Sequence, residues 1–81
     1  MDLSSLTEFL VKSLVNDPDT VSVKQFDDDE DVITIEVLVS SDDMGKVIGK
    51  RGMIANAIRT IVQASSRLNN ERYVKINIDS F

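Results

Sequence analysis

Cysteine and histidine are both absent from this 81-residue chain. Without cysteine there is no disulfide and no thiolate metal site. Without histidine the commonest metal ligand and the commonest general base at neutral pH are missing. Zinc hydrolysis, Cys or Ser–His nucleophiles and haem ligation lose their usual parts, so no enzyme chemistry, metal or cofactor is expected. No apolar run approaches the roughly 18–20 residues that span a bilayer. The opening Met1-Asp2-Leu3-Ser4-Ser5 has neither the basic n-region nor the apolar h-region of a secretory signal, and a cytoplasmic location is expected. The chain is also short. A single domain over 1–81 buries only about 60–65% of its unfolded surface, and association with another chain is the remaining staple.

Positive charge is scarce but placed. The net charge of −5 argues against indiscriminate adhesion to nucleic acid. Yet between Gly45 and Asn70 stand five cations (Lys46, Lys50, Arg51, Arg59, Arg67) and no acid, while the acids gather in Asp27-Asp28-Asp29-Glu30-Asp31 and Asp42-Asp43.

Leu3, Leu6, Leu10 and Leu14 recur at helical spacing with Val11 beside them, which predicts an amphipathic helix packed on a sheet. Asp2 or Ser5 caps it, Ser5-Leu6-Thr7-Glu8 fits a capping box, and Asn16-Asp17-Pro18 ends it. Val21-Ser22-Val23 begins a strand, with a bulge or fraying expected where the alternation breaks at Gln25-Phe26. Val32 to Val39 is the clearest strand, with Ile33, Ile35, Val37 and Val39 on one face. Ser40-Ser41-Asp42-Asp43 starts a short helix from about Asp42 to Ile48. A long helix runs from Met53 to Leu68 until Asn69-Asn70 stops it. Tyr73 to Asp79 is the third strand, with Val74, Ile76 and Ile78 inward. The order α-β-β-α-α-β predicts an α+β fold in which three helices cover one face of a three-stranded sheet.

Val47-Ile48-Gly49-Lys50-Arg51-Gly52 carries the strongest chemical signature. Two glycines bracket two cations at a junction of helices, and glycine accepts positive φ and close backbone approach. The tip lies before a helix N-terminus, where free N–H groups and the macrodipole favour anions. A Walker loop does not fit: Gly45-Lys46-Val47-Ile48-Gly49-Lys50 has one residue too few between its glycines, and Arg51 stands where Ser or Thr is needed. A calcium loop over Asp27, Asp29 and Asp31 fails as well, because Val32 and Leu38 stand where glycine and glutamate belong. A plain helix–helix turn with incidental cations is the bland alternative.

With Ile54, Ile58 and Ile61-Val62 following on a helix, and strands before and after the pair, these residues closely resemble a KH domain, in the bacterial type II order. The length, the segment ending near Asp17-Pro18, the glycine loop and Ala57-Ile58-Arg59-Thr60-Ile61-Val62 resemble the small single-domain KH proteins of the KhpA family. The resemblance implies an RNA chaperone or post-transcriptional regulator that clamps about four nucleotides of single-stranded RNA. It assigns RNA contacts to Lys46, Ile48, Gly49, Lys50, Arg51, Gly52, Ile58 and Arg59, with Ile48 and Ile58 flooring a groove. It also implies a homodimer, and a heteromer with a larger KhpB/Jag-like RNA-binding protein. One position departs: Ala55 stands where the family usually has a large aliphatic, with Ile54 beside it, which implies a shallower or shifted floor. Few aromatics lie near the loop, so base stacking contributes little and weak, salt-sensitive binding is expected. An alternative reading is an interaction module whose glycine loop is vestigial.

The long helix has more apolar surface than one sheet uses. Ala55, Ile58 and Val62 form a stripe for the sheet. Met53, Ile54, Ala57, Ile61, Ala64 and Leu68 form an adjoining stripe, and together they cover roughly 200° of the wheel, against about 100° for a helix on one sheet. The second stripe is the expected dimer interface; the first helix is the alternative cover.

Overall fold

Alternating branched aliphatics make Val32–Val39 the central strand, β2. Its Ile33, Ile35, Val37 and Val39 are all buried, each worth about 1.5–3 kcal/mol relative to exposure. The computed structural model describes residues 2–27, 29–69 and 72–81. Strand β1 (Ser22–Phe26) pairs antiparallel with β2, and β3 (Tyr73–Ser80) pairs parallel with it on the other side. The pairing of β1 runs without interruption from Ser22 opposite Leu38 to Phe26 opposite Thr34, so the bulge or fraying expected at Gln25-Phe26 is not there. The alternation breaks because Lys24, Gln25 and Phe26 are exposed and need no inward face, while backbone pairing continues.

Parallel neighbours need a long crossover. Here it carries α2 (Met44–Ile48) and α3 (Met53–Leu68). With α1 (Leu3–Lys12) these helices cover the aliphatic face of the sheet, and Val11, Val47, Ile58 and Val62 join its core. The mixed sheet with three helices on one face is the α+β arrangement the sequence predicts.

Helix α1 is capped by Asp2, whose carboxylate accepts the Ser5 N–H at 2.7 Å and the Ser4 hydroxyl at 2.9 Å. Ser5 is therefore inside the first turn, and Glu8 pairs forward with Lys12 at 3.4 Å instead of closing a capping box. The helix ends at Lys12, four residues before Asn16, and leaves Leu14 outside and 37% exposed. Its buried stripe is Leu3, Thr7 and Val11; the Thr7 hydroxyl is satisfied by donating to the Leu3 carbonyl at 2.8 Å.

The early stop has a physical reason. The chain turns so that the N–H groups of Asn16 and Asp17 each donate to the Asp43 carboxylate at 3.1 Å, where the Ser40 hydroxyl joins at 3.2 Å. Asp43 is only 2% exposed. It is a joint between distant segments, where the sequence suggests only a favourable charge in a helical first turn. The helix proper starts at Met44, after a 3-10 turn over Ser41–Asp43. A second joint ties the acidic connection to the start of β3: Arg72 pairs with Asp27 at 2.9 Å and donates to the Asp29 carbonyl at 2.8 Å.

The hydrogen bond from Asn16, followed by those from Asp17 and Ser40 and the charge of Lys46, holds the Asp43 pKa below its ordinary 3.8, although burial alone pushes it up. A depressed native pKa stabilises the fold above the unfolded value, and that contribution is lost as pH falls through the native one. Asp43→Asn is therefore expected to lower the urea midpoint at neutral pH, and the gap to wild type should narrow in acid below the ordinary carboxylate range. An unchanged midpoint at neutral pH would show that the joint carries no net stability.

Candidate nucleic-acid interface

The loop between α2 and α3 is built from backbone conformations that few residues adopt. Gly49 has φ 75° and ψ 173°, Arg51 φ 58° and ψ 25°, and Gly52 φ 75° and ψ 14°. A Cβ on Gly49 would lie 2.6 Å from Ile54 Cγ1, so the loop backbone rests directly on the Ile54 side chain. Gly52 faces open space, with only Asn56 Nδ2 at 4.0 Å. Its need for glycine is conformational.

Arg51 is the only non-glycine residue with positive φ among the described residues. Lys50 in the right-handed region followed by Arg51 in the left-handed one is the backbone succession that forms an anion-binding nest. The turn is closed by the Gly49, Gly52 and Met53 N–H groups, which donate to Gly45, Gly49 and Lys50 carbonyls. The N–H groups of Lys50 and Arg51 take no part in it. Gly52, at the N-cap of α3, has no side chain to cap the first turn, so the positive end of the helix faces the same space. Both cationic side chains are exposed.

The other residues assigned from sequence separate. Ile48 is half-buried beside the loop. Lys46 leans back to Asp43, Nζ to Oδ1 3.7 Å, away from the tip. Ile58 is 3% exposed and belongs to the core, so it does not floor a groove: it shares the sheet-facing stripe with Ala55 and Val62. Arg59 lies across the helix toward β3, with Nε donating to the Ile76 carbonyl at 3.3 Å and Nη1 to Asn56 Oδ1 at 3.2 Å. Of the second stripe, Ile54 is half-buried under Gly49, while Met53, Ile61 and Leu68 are 68%, 46% and 85% exposed and Ala57 and Ala64 are exposed too. The first helix does not cover it.

A groove of about 790 Å³ runs between α3 and β3. The two elements are antiparallel there: Ser66 Oγ donates to the Arg72 carbonyl (2.7 Å), Gln63 Oε1 accepts the Val74 N–H (2.8 Å), and Arg59 meets Ile76. Arg59, Arg67 and Lys75 line it, and among the described residues no carboxylate does. Tyr73 stands at its far end. Sequence reasoning missed Asn56, Gln63, Lys75 and Tyr73. The acid-free run contained Arg67, but the wall supplied by β3 depends on packing that no local pattern shows.

A glycine–cation–cation–glycine turn joining two helices, on an α-β-β-α-α-β fold with this mixed sheet, defines a KH domain of type II. The chain belongs to the family described as KhpA/KhpB, KH domain, whose profile matches residues 4–78. It is 46% identical over 72 residues to the RNA-binding protein KhpA of Clostridium perfringens, covering 89% of this chain and 95% of that protein. It is 41% identical over 76 residues to the RNA-binding protein KhpA of Halalkalibacterium halodurans, covering 94% and 97%. In fold it is similar to the crystal structure of Era in complex with MgGDPNP and nucleotides 1506-1542 of 16S ribosomal RNA. That match has a TM-score of 0.71 at 16% identity and covers 98% of this chain and 30% of that one.

The two glycines should differ in substitution. Gly49→Ala adds a clash with Ile54 to left-handed strain and is expected to cost about 2–5 kcal/mol; Gly52→Ala carries the strain alone, about 1–2 kcal/mol. Arg51→Gly should stabilise by about 0.5–1 kcal/mol, the relief of strain less the chain entropy of glycine. Urea denaturation ranks the three. Equal costs at the two glycines would show that Ile54 moves aside freely.

Proposed function

We propose that this chain is a non-catalytic, cytoplasmic binder of single-stranded RNA that holds a strand backbone at Gly49–Gly52 and lays its bases into the groove between α3 and β3. The observation that carries the reading is the loop itself: two free N–H groups in a nest, two exposed cations and an uncapped helix N-terminus converge on one small space. Phosphate oxygens are the ligand these groups suit, and phosphate contacts position a strand without reading its sequence. Bound there, the strand leads toward a groove whose charged groups among the described residues are all positive. The relatives named RNA-binding protein KhpA support the same ligand. Among the described residues no helix is long and apolar enough to cross a membrane.

The exposed stripe of α3 favours self-association. Met53, Ala57, Ile61, Ala64 and Leu68 lie on one side of the helix, opposite its core face, and Ala57 and Ala64 permit close approach of a second helix. We infer a two-fold dimer with Ile61 nearest the axis, since two-fold symmetry is the commonest arrangement. The same stripe suits a KhpB/Jag-like KH partner in place of a second copy.

Three measurements test these readings. Lys50→Asp with Arg51→Asp should abolish RNA binding while the circular dichroism spectrum stays native; unchanged affinity would refute the clamp. With about two to four phosphates neutralised, log K against log salt should fall with a slope of roughly −1.5 to −3. Separately, Ile61→Asp places two like charges in a closed interface, a cost of several kcal/mol that a small contact does not recover. Sedimentation velocity should show a dimer for wild type and a monomer for the variant. A monomeric wild type at tens of micromolar would leave the stripe to a different protein.

A further inference from the structure

Arg59 and Gln63 share an arrangement that holding a phosphate backbone does not require. Each is anchored on the open edge of β3, Arg59 by Nε on the Ile76 carbonyl at 3.3 Å and Gln63 by Oε1 on the Val74 N–H at 2.8 Å. A backbone N–H can only donate, so the Gln63 oxygen is the atom turned to the strand, and its NH₂ is turned away. Arg59 has a second anchor, Nη1 on Asn56 Oδ1 at 3.2 Å. What remains unspent is chiefly N–H: the Arg59 Nη2 with the remaining hydrogen of Nη1, and the Gln63 NH₂, beside one lone pair of the Gln63 oxygen. The two residues are one helical turn apart and line the same groove. The Ile76 carbonyl, an acceptor at this edge, is already taken by Arg59. Thr60 and Asn77 also line the groove and bring oxygen acceptors to it, the Thr60 hydroxyl having given its proton to the Asn56 carbonyl, so the excess of donors belongs to the Arg59–Gln63 pair.

We propose that this anchored pair makes the groove selective for guanine at one position of the bound strand, with the Arg59 fork on O6 and N7 and Gln63 as a second donor. The inference rests on the RNA reading above, in which the backbone is held at the loop and the bases enter the groove. Guanine presents two adjacent acceptors, O6 and N7, and adenine sets its N6 amino group beside N7. In a single strand cytosine also has adjacent acceptors, O2 and N3, but its N4 amino group stands beside N3 where the second donor would meet it; uracil's O2 and O4 are separated by the N3–H. The free donors of this pair match guanine's two acceptors and oppose the amino groups. The planar guanidinium spans two acceptors at once, which a lysine ammonium does not. Anchoring also lowers the entropy lost on binding, because the fork is already aimed. Arg59 lies about 10 Å along α3 from Gly52 and is held on the β3 side, so it faces bases leaving the clamp instead of the clamped phosphate.

The test is fluorescence anisotropy with single-stranded oligouridine hexamers carrying one guanosine, adenosine or cytidine at successive positions. Wild type should prefer guanosine at one position by on the order of tenfold. Arg59→Lys keeps the charge and should lose most of the guanosine preference, with a larger fall in affinity for the guanosine hexamer than for plain oligouridine. Gln63→Glu keeps an acceptor for the Val74 N–H, removes the donors, and should also reduce the preference. Lys50→Asp with Arg51→Asp should weaken every oligomer alike. A wild type that binds all hexamers equally, or an Arg59→Lys that loses affinity uniformly, overturns the guanine assignment and leaves the RNA clamp standing. No binding to any hexamer overturns the clamp, and the assignment with it.

Discussion

The loop backbone lies on the Ile54 side chain at Gly49, with no room for a Cβ between them. That contact sets the entry angle of α3 relative to α2. With Gly49 pressed against the helix, the chain has three residues in which to turn, and it uses a left-handed Arg51 and Gly52 to do so. The strained arginine is the consequence. Its conformation leaves two N–H groups outside the turn's own hydrogen bonds, and the uncapped start of α3 lies beside them. The candidate anion site emerges from a packing constraint, and part of its cost is the left-handed arginine.

Helix α3 then divides its circumference among unlike tasks. Ala55, Ile58, Val62 and Ser66 face the core. Arg59 and Gln63 bond to the edge of β3 and Ser66 to Arg72 just before it, which occupies part of that edge's open backbone and protects it against pairing with another chain. The side away from the core keeps Met53, Ile61 and Leu68 exposed. Ala64 and Leu68 belong to this apolar side and also line the groove, so a partner seated on the stripe would sit at the rim of the RNA track. The proposed association surface and the proposed RNA track are therefore neighbours on one helix. A second clamp on the same strand gains avidity where the strand can reach both.

Periodicity carried most of the elements. Strand Val32–Val39 and helix Met53–Leu68 have the bounds that the alternation and the 3.6-residue spacing predict, because each buries one regular face against a large apolar surface. The poorly placed ends were those set by distant polar atoms. Nothing local says that α1 stops at Lys12; Asp43, more than twenty-five residues away, draws the Asn16 and Asp17 N–H groups to itself. Nor did alternation describe β1, whose outer half has no face to bury and is held by backbone pairing alone.

The sequence by itself determined the order of elements, the glycine loop with its two cations, and the surplus apolar stripe, since each is written in residue type and local spacing. Tertiary structure decided the rest. It drew Ile58 into the core, turned Lys46 to Asp43, and set Arg59 and Gln63 against the edge of a strand that follows them in the chain. Those outcomes depend on which way α3 rotates as it packs on the sheet, and that rotation is fixed by the fit of Ile54 beneath Gly49 and of Ala55, Ile58 and Val62 upon the sheet.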